Sequence, residues 1–330
     1  MSERLQWIDM AKGVGITLVV LGHAGRGISA ADIPADPSFL IQMDRLVYAF
    51  HMPFFFVLSG VVFGMRPPIS VKPALVKRVW GLLFPLVIWT YVFLVFRALA
   101  GSAANSPSSW AELFIWPIPP FAHFWFLWAL LIITIALTVL RFLFIRFIPE
   151  GLLWGVAVLL LLPASVMVTF PEELKPFLQH SLTYCPLFAL GALIGASPLV
   201  KYVPSWFQVT LAVVGFFIVL WGVLSFDLNI PPTMSGLVLS VLLIIPFMAL
   251  SGRFTGSLWA NALAFLGLIS LAIYVMHTIF SAGIRIALLW VGVDDVLSHV
   301  LLGSLSGILG PLVVYLLVRR VGGLRYLGLT

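Results

Sequence analysis

The chain has 330 residues, of which 62% are hydrophobic and 9% charged, with a mean hydropathy of +1.14. An ordinary soluble domain is about 25% charged, so a soluble fold is excluded and lipid is the solvent for most of this chain. The net charge of +6 comes from residues in short loops rather than from a basic–aromatic motif, which points to membrane topology and gives no nucleic-acid partner.

Ten apolar runs have the length of spanning helices, predicted at 11–29, 43–65, 79–100, 123–140, 152–169, 181–197, 207–225, 235–251, 262–282 and 299–318. The expected fold is all-α, one polytopic membrane domain over 1–330. The first span opens like a signal peptide, with Arg4 and Lys12 ahead of the apolar run 14–22, but Asp9 and Lys12 crowd that run and His23 follows it. We expect it to remain uncleaved. Eleven residues separate Lys12 from His23, about 16 Å along a helix at 1.5 Å per residue. Arg26 closes this span.

Asp44, Arg45 and Tyr48 precede His51 in the second span, and Ser59-Gly60 inside it reads as a close-packing pair. The following loop is expected to carry Lys72 and Lys77, with Arg78 starting the third span. His123 and Trp125 open the fourth, as aromatic-belt residues or as cavity liners. The single cysteine, Cys185, allows no intrachain disulfide. It reads as a small buried apolar residue, with an acyl-carrying thiolate as the alternative. Tyr274 and His277 fall in the ninth span.

Charge tests the topology. With both termini cytoplasmic, 13 of the 18 basic residues fall inside, and only Arg26, Arg45, Arg97, Lys175 and Arg285 fall outside. Nine of the 12 acidic residues fall outside. This agrees with the positive-inside rule along the whole chain. All six histidines then lie toward the extracytoplasmic side. Ionisable groups at membrane depth are costly and are functional candidates. No two histidines have the spacing that sets two ligands on one helix face, and there is no HExxH, so no metal is expected.

One helix therefore pairs a cation near the inner face with an imidazole well across the bilayer. A CoA ester has the matching shape, anionic at one end with a long arm ending in a thioester at the other. Lys12 and Arg78 are the expected phosphate contacts, while Lys72 and Lys77 fit either phosphate binding or plain anchoring.

Several stretches resemble the integral-membrane acyltransferase family 3, and within it the fucose and polysaccharide O-acetylases. They are Trp7-Ile8-Asp9-Met10-Ala11-Lys12-Gly13 running on to Leu21-Gly22-His23, His51-Met52-Pro53-Phe54-Phe55-Phe56-Val57-Leu58-Ser59-Gly60, Lys77-Arg78 with Leu83-Phe84-Pro85, Trp125-Phe126-Leu127, and Ser270-Leu271-Ala272-Ile273-Tyr274-Val275-Met276-His277. The resemblance implies about ten helices and transfer of an acyl group, usually acetyl, from cytoplasmic acetyl-CoA to an extracytoplasmic hydroxyl. It maps the family's catalytic histidine onto His23 and its basic signature residue onto Lys12, where many relatives carry Arg. Lys keeps the charge but lacks the bidentate fork.

On this reading His23 is the general base. His51 and His277 orient it, bind acceptor or stabilise the oxyanion. Asp44, Arg45 and Arg26 flank the outer mouth, and Tyr48, Trp125 and Tyr274 offer aromatic faces to a sugar. The implied partners are membrane lipid, acyl-CoA and a carbohydrate acceptor, in a bacterial inner membrane. A transporter or flippase of a lipid-linked sugar shares the apolarity and the embedded histidines, but has no reason to pair Lys12 with His23 beside the second-span stretch.

Overall fold

The computed structural model describes residues 5–329 apart from positions 32, 35, 68, 69, 116, 119, 227–231 and 255. Glu3, Arg4, Asp32 and Asp227, counted in the charge balance, lie outside the described residues. Thirteen α-helices follow one another: α1 (Gln6–Ser29), α2 (Pro37–Tyr48), α3 (His51–Gly64), α4 (Val71–Arg78), α5 (Phe84–Ala100), α6 (Trp125–Phe144), α7 (Glu150–Met167), α8 (Lys175–Ala196), α9 (Trp206–Ser225), α10 (Pro232–Phe254), α11 (Leu258–Leu268), α12 (Ser270–Trp290) and α13 (Val296–Arg320). Among the described residues there is no strand, and ten helical segments are long and apolar enough to cross a membrane.

All ten predicted runs are present, with three corrections. The second span begins earlier and is broken between α2 and α3. Pro53 lacks an N–H and its ring would strike the carbonyl of Ala49 in a continuous helix, so the chain turns at Phe50 (φ −142°, ψ −22°) and restarts at His51. Lys72 and Lys77 lie on a helix, α4, rather than in a loop, and Arg78 ends that helix rather than starting the span. α4 runs into α5 through a π-helical turn at Val79–Leu83. Pro85 just beyond leaves the ladder without a donor there. The ninth span runs from 270 to 290, and the apolar residues before it form the separate short helix α11, which ends where Ile269 leaves helical geometry (φ −96°, ψ 13°).

α1 and the α2–α3 segment form the centre, with 67% of each apolar window buried inside the protein, against 17% for α13 and 22% for α7 and α9. Lipid contacts the outer helices; their exposed Leu, Phe and Val side chains are what a bilayer requires. Glycines allow the tightest approaches. Gly60 and Gly64 of α3 face the backbone of α8, and Gly191 and Gly195 of α8 face the backbone of α3. These two small-xxx-small pairs bring the helices into backbone contact, the usual route to association where lipid removes the hydrophobic drive. Gly13 of α1 and Gly267 of α11 meet in the same way. Gly60 thus sits at a packing seam, as its sequence context suggests, whereas Ser59 beside it lines a cavity.

Candidate active site

α1 carries His23 to the wall of a cavity of about 490 Å³. Its Nδ1–H donates to the Val19 carbonyl one turn earlier at 3.0 Å. That bond places the proton on Nδ1 and leaves the lone pair on Nε2. The ring packs edge-to-face against His277 at 4.8 Å and His123 at 5.9 Å, and stands 6.3 Å from the ring of Tyr48. Four elements, α1, α2, α12 and the short turn before α6, meet at this imidazole.

His51 and His277 repeat the local arrangement. Each donates Nδ1–H to a backbone carbonyl of the preceding turn, His51 to Val47 at 2.6 Å and His277 to Tyr274 at 2.7 Å. Both are fully buried, and their Nε2 atoms have no hydrogen-bond partner among the described residues. Neither lines the cavity. His277 lies behind His23, and His51 lies behind Tyr48 with ring centroids 4.3 Å apart. His123 does line the cavity. Its backbone is held by the Tyr274 hydroxyl, which donates to its carbonyl. The residue before it, Ala122, sits at φ 46°, an uncommon conformation for a residue with a Cβ and one that clusters at functional sites.

Tyr48, Trp125 and Tyr274 also line the cavity. The Arg26 guanidinium lies 3.3 Å over the Tyr48 ring and grips Asp44 through two bonds, Nε to Oδ1 at 2.5 Å and Nη2 to Oδ2 at 3.1 Å. This pair fixes α2 against the C-terminal end of α1. Asp44 therefore acts on the cavity through Arg26, and Arg45 is exposed on α2 away from it.

Lys12 lines a second cavity of about 170 Å³ with Phe55, Ser59, Leu82, Phe126 and neighbours. Val19, Met52 and Tyr274 line this cavity and the His23 cavity alike. The two spaces are stacked along α1 and separated by these three side chains. Lys77 and Arg78 belong to a third, smaller space of about 90 Å³, which they share with Arg66 and Arg141. Arg141 is anchored there by Glu150 at 2.5 Å and by the Arg66 carbonyl at 2.8 Å. Leu82, one turn beyond Arg78, reaches the Lys12 cavity. Lys72 is exposed and lines none of the three.

His123 lines the His23 cavity, the second of the two readings its sequence allowed, and residues that the sequence analysis did not place in a site join it: Arg97, Asn105 and Arg285 on the His23 cavity, with Arg66 and Arg141 on the small basic one. Arg97 carried a readable signal, since it is a cation inside a predicted apolar run, while Arg141 and Arg285 fall just beyond the predicted ends of theirs. Asn105 carried none. Among the described residues no three His, Cys, Asp or Glu side chains form a set able to hold a metal ion.

Among the described residues, ten spanning-length helical segments and a cavity lined by His23 and His123 define a multi-pass membrane protein. The chain belongs to the integral-membrane acyltransferase family 3, whose acyltransferase domain matches residues 5–316. It is 27% identical over 226 residues to the nodulation protein NolL of Mesorhizobium japonicum, covering 67% of this chain and 57% of that protein. It is 30% identical over 194 residues to the nodulation protein NolL of Sinorhizobium fredii, covering 56% of this chain and 47% of that one. The chain thus spans about half the length of the curated relatives it matches. No solved structure matches it.

Proposed function

We propose that this acyltransferase moves an acyl group, acetyl in the simplest case, from cytoplasmic acyl-CoA to a hydroxyl of an extracytoplasmic or lipid-linked carbohydrate, in a bacterial inner membrane with both chain termini cytoplasmic. The observation that carries the reading is the stacking of the two cavities. Lys12 lines one and His23 the other, with a three-residue wall between them. A pantetheine arm has the length to reach from a phosphate held near Lys12 to a thioester beside His23, since the two residues are about 16 Å apart along α1. Arg78, one turn before Leu82 of the same space, offers a further cation for the nucleotide end, with Lys77 and Arg66 beside it.

The chemistry follows from the tautomer. With Nδ1–H held by the Val19 carbonyl, Nε2 of His23 takes the proton of the attacking hydroxyl as its oxygen adds to the thioester carbonyl. The C–S bond then breaks, and the same imidazolium returns the proton to the leaving thiolate. His277 and His123 pack on the ring and hold its plane, acting as positioning residues. Tyr48 and Trp125 present faces on which a sugar can stack.

The test is transfer of labelled acetyl from acetyl-CoA to candidate glycans by the purified protein. Wild type transfers label. His23→Ala, folded to the same degree by thermal unfolding, loses at least a hundredfold in rate, as expected for a general base. Equal transfer by both proteins overturns the assignment.

A further inference from the structure

The His23 cavity contains an unbalanced positive charge. Among the described residues, three arginines line it and no aspartate or glutamate does. Arg26 is neutralised by Asp44. Arg97 and Arg285 have only neutral acceptors. Arg97 donates Nε and Nη2 to the Ser106 carbonyl, and Glu112 attracts it only at longer range, with its own carboxylate taking the Ser109 N–H at 2.8 Å. Arg285 is buried, donates Nη2 to Asn105 Oδ1 at 2.8 Å, and its Nε has no hydrogen-bond partner among the described residues. A buried charge without a counter-charge is costly, and more so within a membrane. The fold nevertheless holds it firmly, because Asn105 also donates to the Gly27 carbonyl at 2.9 Å and so ties Arg285 to α1.

Gly27 fixes the position of that charge relative to the reacting group. A Cβ there would lie 2.5 Å from Arg285 Nη1, so the guanidinium rests against α1 at Gly27. His23 is four residues earlier, one turn and about 6 Å along the axis. That is roughly the width of one sugar ring.

We propose that the acceptor is anionic, carrying a carboxylate or a phosphate that seats on Arg285 and Arg97 about one sugar ring away from the hydroxyl that is acylated. The inference rests on reading His23 as the group beside that hydroxyl. A uronic acid and a sugar phosphate both supply the chemistry, since arginine binds either through paired N–H donors.

The test measures binding by calorimetry to the purified, detergent-solubilised protein with three probes: methyl glucoside, methyl glucuronide and glucose 1-phosphate. At least one anionic probe binds tenfold or more tightly than the neutral one, and which anion does so identifies the source. Arg285→Gln weakens that anion at least tenfold and leaves the glucoside within twofold. Arg97→Gln does the same if Arg285→Gln fails to fold. Equal affinity for all three probes, no detectable binding of any, or a uniform loss in the variants overturns the proposal. Binding is read without turnover, so a failure of the His23 assignment appears in the transfer assay alone and a failure of the anion seat in calorimetry alone.

Discussion

Alanine at Gly191 and alanine at Gly155 are expected to move stability in opposite directions. Both glycines lie inside spanning helices, α8 and α7, where alanine gains up to about 1 kcal/mol in helix propensity. Gly155 has nothing within 4 Å of a built Cβ, so that gain stands and Gly155→Ala is neutral or stabilising. At Gly191 the new methyl overlaps the Val57 carbonyl and comes within 2.9 Å of Val61 N. Both obstacles are backbone, so no side chain can rotate aside and α3 must shift away from α8. Overpacking of this kind costs roughly 1–3 kcal/mol, and the contact with rigid atoms on two sides places it toward the upper end. The propensity gain cancels between the two variants, so their difference reports the overpacking cost alone. For a chain of this size that corresponds to about 2–6 °C in Tm, scaled from soluble domains. Thermal unfolding in detergent, followed by intrinsic tryptophan fluorescence, measures it. A Gly191→Ala protein as stable as Gly155→Ala would refute the claim that α3 and α8 meet backbone to backbone.

Three further outcomes concern the site. Lys12→Ala raises the KM for acetyl-CoA ten- to hundredfold, the loss of one charge-assisted contact worth roughly 1.5–3 kcal/mol, and an unchanged KM in steady-state kinetics removes Lys12 from the donor site. Val19→Phe, in the wall common to both cavities, lowers kcat at least tenfold while acetyl-CoA binding, measured by calorimetry, stays within twofold; wild-type kcat would show that the acyl group takes another route. Incubation with EDTA leaves transfer unchanged, and a loss restored by added zinc would show metal chemistry at the histidines.

Much of this was legible in the chain. Apolar run length sufficed for ten spans, because the bilayer imposes that length directly. Lys12 and His23 stood out because an ionisable side chain in an apolar run has few structural excuses. Other features depend on contacts that no single run encodes. Pro53 is visible in the sequence, but apolar length alone does not reveal that it breaks the second span just before His51. Lys12 and Arg78 read together as phosphate contacts, with Lys72 and Lys77 as either phosphate contacts or anchors, yet α1 carries Lys12 to one space and α4 carries Lys77 and Arg78 to another. His51 and His277 were readable as embedded imidazoles, while their position behind Tyr48 and behind His23 depends on how the helices rotate against one another. Arg97 and Arg285 counted as outer-end charges in the topology, and only the fold of the segment carrying Asn105 against Gly27 turns one of them toward the chamber wall.

The partition formed by Val19, Met52 and Tyr274 also bears on what the bundle must keep from crossing. Two hollow spaces piled along α1 leave little insulation at the level where they adjoin. Trimming Met52 to alanine should therefore make proteoliposomes leak protons down an imposed gradient, a fault in sealing that would be visible even with no donor or acceptor present.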